Sequence, residues 1–237
     1  MRAQRLIAAT VVIVLTVVGC SGDEDDGAGT DQGGQDAADQ LAAAADQLDS
    51  TSGVRFTVEG SDLPDSGTVI LGAEGVAAPP RSFDGDIRVL TAGLSATIEV
   101  VSVDGELWAK LPMTTEFALV DAEALGFSDP GALLDPERGV SQLLRSAIDP
   151  AESGQVRIGS AVADEITATL PGELVGSVLA IADPDAEVAA AFALDADDGH
   201  LRRAVLTGPF VEDSGAQTYT VLLEDYDQAV DISAPTD

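Results

Sequence analysis

Apolar and polar residues alternate in run after run along this chain, and neighbouring runs are often only two residues apart. Val54, Phe56 and Val58 alternate with Arg55, Thr57 and Glu59, which places three apolar side chains on one face of a strand. The same period marks 67–73, 82–91, 94–103 and 106–111. Ala92-Gly93 and Asp104-Gly105 separate the last three, and glycine suits the positive φ of a two-residue hairpin turn. Strands joined this closely pair antiparallel, because a parallel return needs a long crossover. Further strands are predicted at 155–162, 165–170, 187–195, 201–208 and 217–225, with a short last one at 229–233.

Helical periodicity is confined to three places. Over 37–48, Leu41, Ala44, Ala45 and Leu48 fall on one face and Asp36 can cap the first turn. Asp129-Pro130 and Asp135-Pro136 each resemble an N-cap followed by proline at the first helical position. The second predicts a helix to about 148, with Val140, Leu143, Leu144 and Ala147 on one face and Asp149-Pro150 as its stop. A third, mostly apolar helix is predicted at 173–182. Strands outnumber helices and no βαβ alternation occurs, so the class is α+β: one large antiparallel sheet with helices on one face, in a single domain over 37–235.

The first twenty residues read as an address. Arg2 and Arg5 precede an apolar run over 6–18, too short to span a bilayer as a helix, which takes about 20 residues. The run ends in Val17-Val18-Gly19-Cys20, the pattern of a bacterial lipobox, and Cys20 is the only cysteine in the chain. Residues 1–19 are therefore expected to be a lipoprotein signal peptide, with Cys20 acylated as an anchor on the outer face of the cell membrane. Residues 21–36, SGDEDDGAGTDQGGQD, contain no apolar side chain larger than alanine and read with Cys20 as a disordered acidic tether.

Composition removes several functions. The chain has 42 Asp and Glu against 11 Lys and Arg, a formal charge of −31, so it lacks the clustered bases that nucleic acid requires. One Cys and one His leave no thiolate or imidazole set for zinc or an iron–sulfur cluster. No G-x-S-x-G, H-E-x-x-H, P-loop or dinucleotide motif occurs, so no enzyme activity and no cofactor are expected. His200 sits in Asp197-Asp198-Gly199-His200, which reads as a surface hairpin turn. In Asp195–Gly199 the glycine falls one place early for a calcium loop and Leu206 stands where its glutamate belongs.

One strand reads differently from the others. Val188, Ala190, Phe192 and Leu194 alternate with Ala189, Ala191 and Ala193, so both faces are apolar and both are expected to be covered. Ala96, Ile98 and Val100 beside Val101 behave similarly. A core with alanine filler, a folded-over sheet or a bound apolar ligand would each satisfy this.

Three segments carry a family resemblance: GDIRV at 85–89, VDGELWAKL at 103–111 and DPGALLDPERGVSQLL at 129–144. In this order, behind a lipobox, an acidic tether and a helix, they resemble the mycobacterial LppX/LprG lipoproteins. The resemblance implies a curved antiparallel half-barrel with helices on its concave face, enclosing an apolar cavity for a multi-acyl lipid or glycolipid carried across the periplasm. By position, Ile87 and Val89 correspond to cavity-facing strand residues, and Leu133, Leu134, Val140, Leu143 and Leu144 to the helical wall. Alternation adds Ala96, Ile98, Val100 and Phe192. The partners implied are the lipid, the membrane through the anchor and a membrane transporter, for a protein acting as a monomer. The alternative is an anchored structural or regulatory lipoprotein whose core is simply full.

Overall fold

The computed structural model describes residues 28–236 apart from Gly126. Residues 1–19, Cys20 and the first part of the acidic segment lie outside the described residues. Helix α1, Ala28–Ser50, starts nine residues before the predicted 37, so the latter part of the segment read as tether belongs to the helix. Its predicted face, Leu41, Ala44, Ala45 and Leu48, is buried, and Ala37 joins it.

Eleven strands follow: β1 Val54–Ser61, β2 Val69–Ala78, β3 Ser82–Thr91, β4 Leu94–Val103, β5 Glu106–Lys110, β6 Ala118–Val120, β7 Ile148–Ile158, β8 Ala161–Pro171, β9 Glu187–Asp195, β10 Leu201–Gly208 and β11 Gln217–Glu224. They form one open antiparallel sheet in the order β6-β5-β4-β3-β2-β1-β11-β10-β9-β8-β7. Each half is a meander, and the two halves are joined where β1 pairs with β11. Ala92 and Gly93, and likewise Asp104 and Gly105, all have positive φ, as their two-residue turns require.

Side chains of one parity make a continuous apolar inner face. Ile98 pairs with Ile87, Ile87 with Ala73, and Ala73 with Val58. Val58 pairs with Val221, Val221 with Ala204, Ala204 with Phe192, and Phe192 with Ile166. The outer face carries exposed ion pairs such as Arg88–Glu59 and Lys110–Glu99.

Five local expectations are corrected. β7 begins at Ile148, not 155, and runs through Pro150. It is the free edge of the sheet, where a missing N–H is tolerated. The β7–β8 turn is at Gly159-Ser160, not 163–164, with Gly159 at φ 58°. The helix predicted at 173–182 is one turn, α3 Gly172–Val175, and residues 229–233 form no strand. The fifth is the outer face of β9. Ala189 is exposed and Ala191 half-buried, while Ala193 is buried between Arg203 and Glu165, which pair at 2.9 Å across it. Long side chains from neighbouring strands cover the short alanine, so no second sheet is needed there.

Of the two Asp-Pro pairs, only the first caps a helix. The Asp129 carboxylate accepts from the Gly131 N–H at 2.9 Å and starts a 3-10 helix, Pro130–Leu134. The Asp135 carboxylate accepts from the Glu137 N–H at 2.9 Å in a turn, and the helix predicted from this pair to about 148 is only α2, Val140–Arg145, whose N-cap is Gly139. α2 packs on α1, and Arg145 reaches Asp46 and Asp49 at 2.7 Å.

Candidate functional site: an apolar pocket under the helical cover

An apolar pocket lies between the inner face of β1–β3 and two covering segments. Phe56, Val58, Ile70, Ala73, Phe83 and Ile87 come from the sheet. Phe127, Pro130 and Leu133 come from the segment around the 3-10 helix, and Val178 and Leu179 from the segment after α3. The remaining lining residues are Ser128 and Glu74, and Glu74 is an exposed residue. The pocket holds about 60 Å³.

The cover is held by few polar links. Ser128 donates its hydroxyl to the Gly176 carbonyl at 3.0 Å, joining the two segments. Ser177 donates to the Arg138 carbonyl at 2.6 Å, and Ser102 on β4 donates to the Asp129 carboxylate at 2.6 Å. Asp135 is desolvated, which alone would raise its pKa, but the Glu137 N–H and Arg138 together hold the carboxyl below its ordinary value. At the far end of the pocket Tyr219 donates to the Ile70 carbonyl at 2.9 Å and meets Phe210 edge-on at 4.9 Å. Burial pushes its phenol pKa up to about 12, so it is neutral at physiological pH.

Of the residues singled out from the sequence, Ile87 and Leu133 line this pocket. Val89, Ile98, Val100, Leu134, Val140, Leu143, Leu144 and Phe192 are buried in the continuous core, with Ala96 packed against its edge. Ala96, Ile98 and Val100 continue the inner face from β3 onto β4, opposite Val89, Ile87 and Gly85. Val140, Leu143 and Leu144 sit on α2, on the α1 side of the cover. Sequence reasoning missed Phe56, Ile70, Phe127, Val178 and Leu179. Phe56 and Ile70 carried a strand signal but none of cavity position, and Phe127 lies in a loop with no period.

His200 stands in the β9–β10 turn, with Nδ1 2.9 Å from Asp198 and its ring 4.3 Å from the Tyr226 ring. Among the described residues no group of three or more His, Cys, Asp or Glu side chains is placed to hold a metal. No helix of the described residues is long and apolar enough to cross a membrane.

The LppX_LprAFG lipoprotein family model matches residues 36–232. The lipoarabinomannan carrier protein LprG of Mycolicibacterium hassiacum is 28% identical over 242 residues, covering 99% of this chain and 98% of the relative. Lipoprotein LprA of Mycobacterium tuberculosis is 29% identical over 168 residues, 67% of each chain. Among solved structures, LprF from Mycobacterium bovis superposes with a TM-score of 0.69 at 15% identity, over 86% of this chain and 98% of that one. LppX of Mycobacterium tuberculosis gives 0.58 at 18% identity, over 84% and 99%. With the open antiparallel sheet shared and the family model matching residues 36–232, this chain belongs to the LppX_LprAFG lipoprotein family.

Proposed function

We propose that this protein is a cell-envelope lipid carrier, anchored through acylated Cys20 to the outer face of the cell membrane. It holds the acyl chains of a lipid or glycolipid between the inner sheet face and the helical cover, and passes that lipid across the envelope, in concert with a membrane transporter. It acts as a monomer, with no catalytic step and no cofactor. The observation that carries this reading is the apolar pocket at Phe56, Ile87 and Leu133, set beneath a cover that only a few polar links hold down.

Ligand pockets run to about 300–1,000 Å³, so the cover must lift to admit chains. Lifting it would extend the pocket along the inner face to Val89, Ala96, Ile98, Val100 and Phe192, with Leu134, Val140, Leu143 and Leu144 on the moving wall. Each buried methylene contributes about 0.8 kcal/mol, so a two-chain lipid offsets the loss of several cover contacts. The small size of the pocket favours a second reading, an anchored structural lipoprotein with a filled core.

Ile87→Trp separates the two. For a carrier, the delipidated wild type binds a fluorescent acyl probe saturably, and the variant binds it much more weakly with little change in melting temperature. For a filled core, the wild type shows no saturable binding and the added ring costs about 1–3 kcal/mol in urea unfolding.

A further inference from the structure

The two cover segments over the apolar pocket also form one wall of a second groove, lined by charged and apolar residues together. Phe127, Leu133, Val178 and Leu179 face the pocket, whereas Asp129, Ala132, Gly176 and Ser177 face the groove. Ser128 lines both, and its hydrogen bond to the Gly176 carbonyl stands between them. The far side of the groove is formed by β5 and β6, with Glu106, Leu107, Leu119 and Val120.

Two of the chain's 11 basic residues, Arg81 and Arg138, lie in this groove. Both are held by acids of the cover. Arg81 makes two long ion pairs, its buried Nε 3.5 Å from Asp135 and an Nη 3.7 Å from Asp129. Arg138 makes one ion pair, at 3.2 Å to Asp135, and its side chain is 53% exposed. Acids lining the groove are Glu106, Asp121 and Asp129, with Asp135 between the two guanidinium groups. Acids therefore outnumber bases, and donors and acceptors are interleaved.

That arrangement selects by chemistry. A phosphate only accepts hydrogen bonds and would meet a net negative field. An ammonium only donates and leaves the guanidinium N–H groups unmatched. A hydroxyl does both and carries no charge.

We propose that the groove is a head-group subsite for an uncharged, hydroxyl-rich head group whose acyl chains occupy the adjoining pocket. Arg81 and Arg138 donate to hydroxyl oxygens and Asp129 accepts from hydroxyl hydrogens. The Ser128–Gly176 link is the point at which the glycerol backbone passes from groove to pocket. This inference rests on the carrier reading.

The test uses the full chain reconstituted in phosphatidylcholine vesicles. Three lipids with the same photoreactive acyl chain are added at equal, sub-saturating amounts: diacylglycerol, monoglucosyl diacylglycerol and phosphatidylglycerol. Crosslinks to pocket peptides are read by mass spectrometry. The glucosyl lipid should label about tenfold more than diacylglycerol, the gain expected from two or three net hydrogen bonds, with phosphatidylglycerol labelling least. Arg138→Ala and Arg81→Gln should each bring the glucosyl lipid down towards diacylglycerol and leave diacylglycerol labelling unchanged. Arg138 is the more exposed of the two, so its variant keeps the test valid if Arg81→Gln fails to fold. Equal labelling by all three lipids, preference for phosphatidylglycerol, or a preference that survives Arg138→Ala would overturn the head-group subsite and leave the carrier reading standing. No pocket label from any lipid in the wild type would overturn both.

Discussion

A Cβ placed on Gly85 would stand 2.6 Å from the Gly75 Cα and 2.9 Å from the Phe83 ring, and would also run into the Glu74 carbonyl. Gly85 and Gly75 face each other across β3 and β2, and a Cβ on Gly75 would in turn lie 2.5 Å from the Phe83 ring. The bare backbone of both strands is therefore what lets the Phe83 ring lie against the sheet at the wall of the apolar pocket. This gives the glycine that opens the GDIRV segment a packing role rather than a turn role. Gly85→Ala should destabilise the fold by about 1–3 kcal/mol, because the obstruction is mainly backbone and the strands must part to relieve it. Urea unfolding checks this; a change within experimental error would show that β2 and β3 separate freely.

Across the outer face of β2, β3 and β4, Glu74, Asp86 and Glu99 stand in register, three carboxylates side by side. Lys110 on β5 pairs with Glu99 at 3.1 Å, which leaves Asp86 between two acids. Partial burial, then the charges of Glu99, Glu74 and Asp84, raise its pKa above the ordinary carboxylate value. The folded state therefore takes up this proton at a higher pH than the unfolded chain, and stability rises as pH falls through the raised value towards the ordinary one. Asp135 and Asp198 work in the opposite sense: their lowered values mean that the stability they supply above the ordinary range is lost as pH falls through it. A melting-temperature profile should therefore rise as pH falls through the raised Asp86 value and then fall as Asp135 and Asp198 take up protons. Asp86→Asn should abolish the rise and, at neutral pH, gain about 0.2–1 kcal/mol, the usual size of a like-charge cross-strand term. A variant that melts below the wild type at pH 7 would contradict this.

At the scale of the whole molecule, α1 runs from the start of β7, where Gly34 approaches Pro150, to the β9–β10 turn, where Gln47 donates to the Asp198 carbonyl at 2.9 Å. The chain thus enters the domain at the end of the sheet that carries the β3–β4 hairpin tip and its exposed Leu94. Seven residues separate Cys20 from Ala28, a reach of at most about 25 Å when extended, which would keep that end close to an anchoring membrane. Cys20→Ala should leave the domain folded but remove labelling by a radiolabelled fatty acid, since the chain has no second thiol to carry the thioether. Undiminished label in the variant would refute the anchor.

Local chemistry determined much of this protein from the sequence alone. The bounds of β3, β4, β9 and β10 match the predicted runs, and both two-residue turns fall on their glycines. Alternation and positive φ act over a few residues and need no partner to be read. The buried face of α1 was legible for the same reason, whereas its start was not, because nothing in the acidic stretch before 37 has a period. Tertiary structure alone decided that β1 pairs with β11 and so makes one sheet of two meanders, between segments more than 150 residues apart. It also decided which buried residues share a space. Leu143 read as part of an apolar helix face and Leu133 was placed on the same helical wall by the family resemblance, yet Leu133 lines the pocket over β3 while Leu143 is in the core on α2, which packs on α1. Periodicity reports that a side chain points inward; what it meets there depends on how distant segments stack, and no local pattern encodes that.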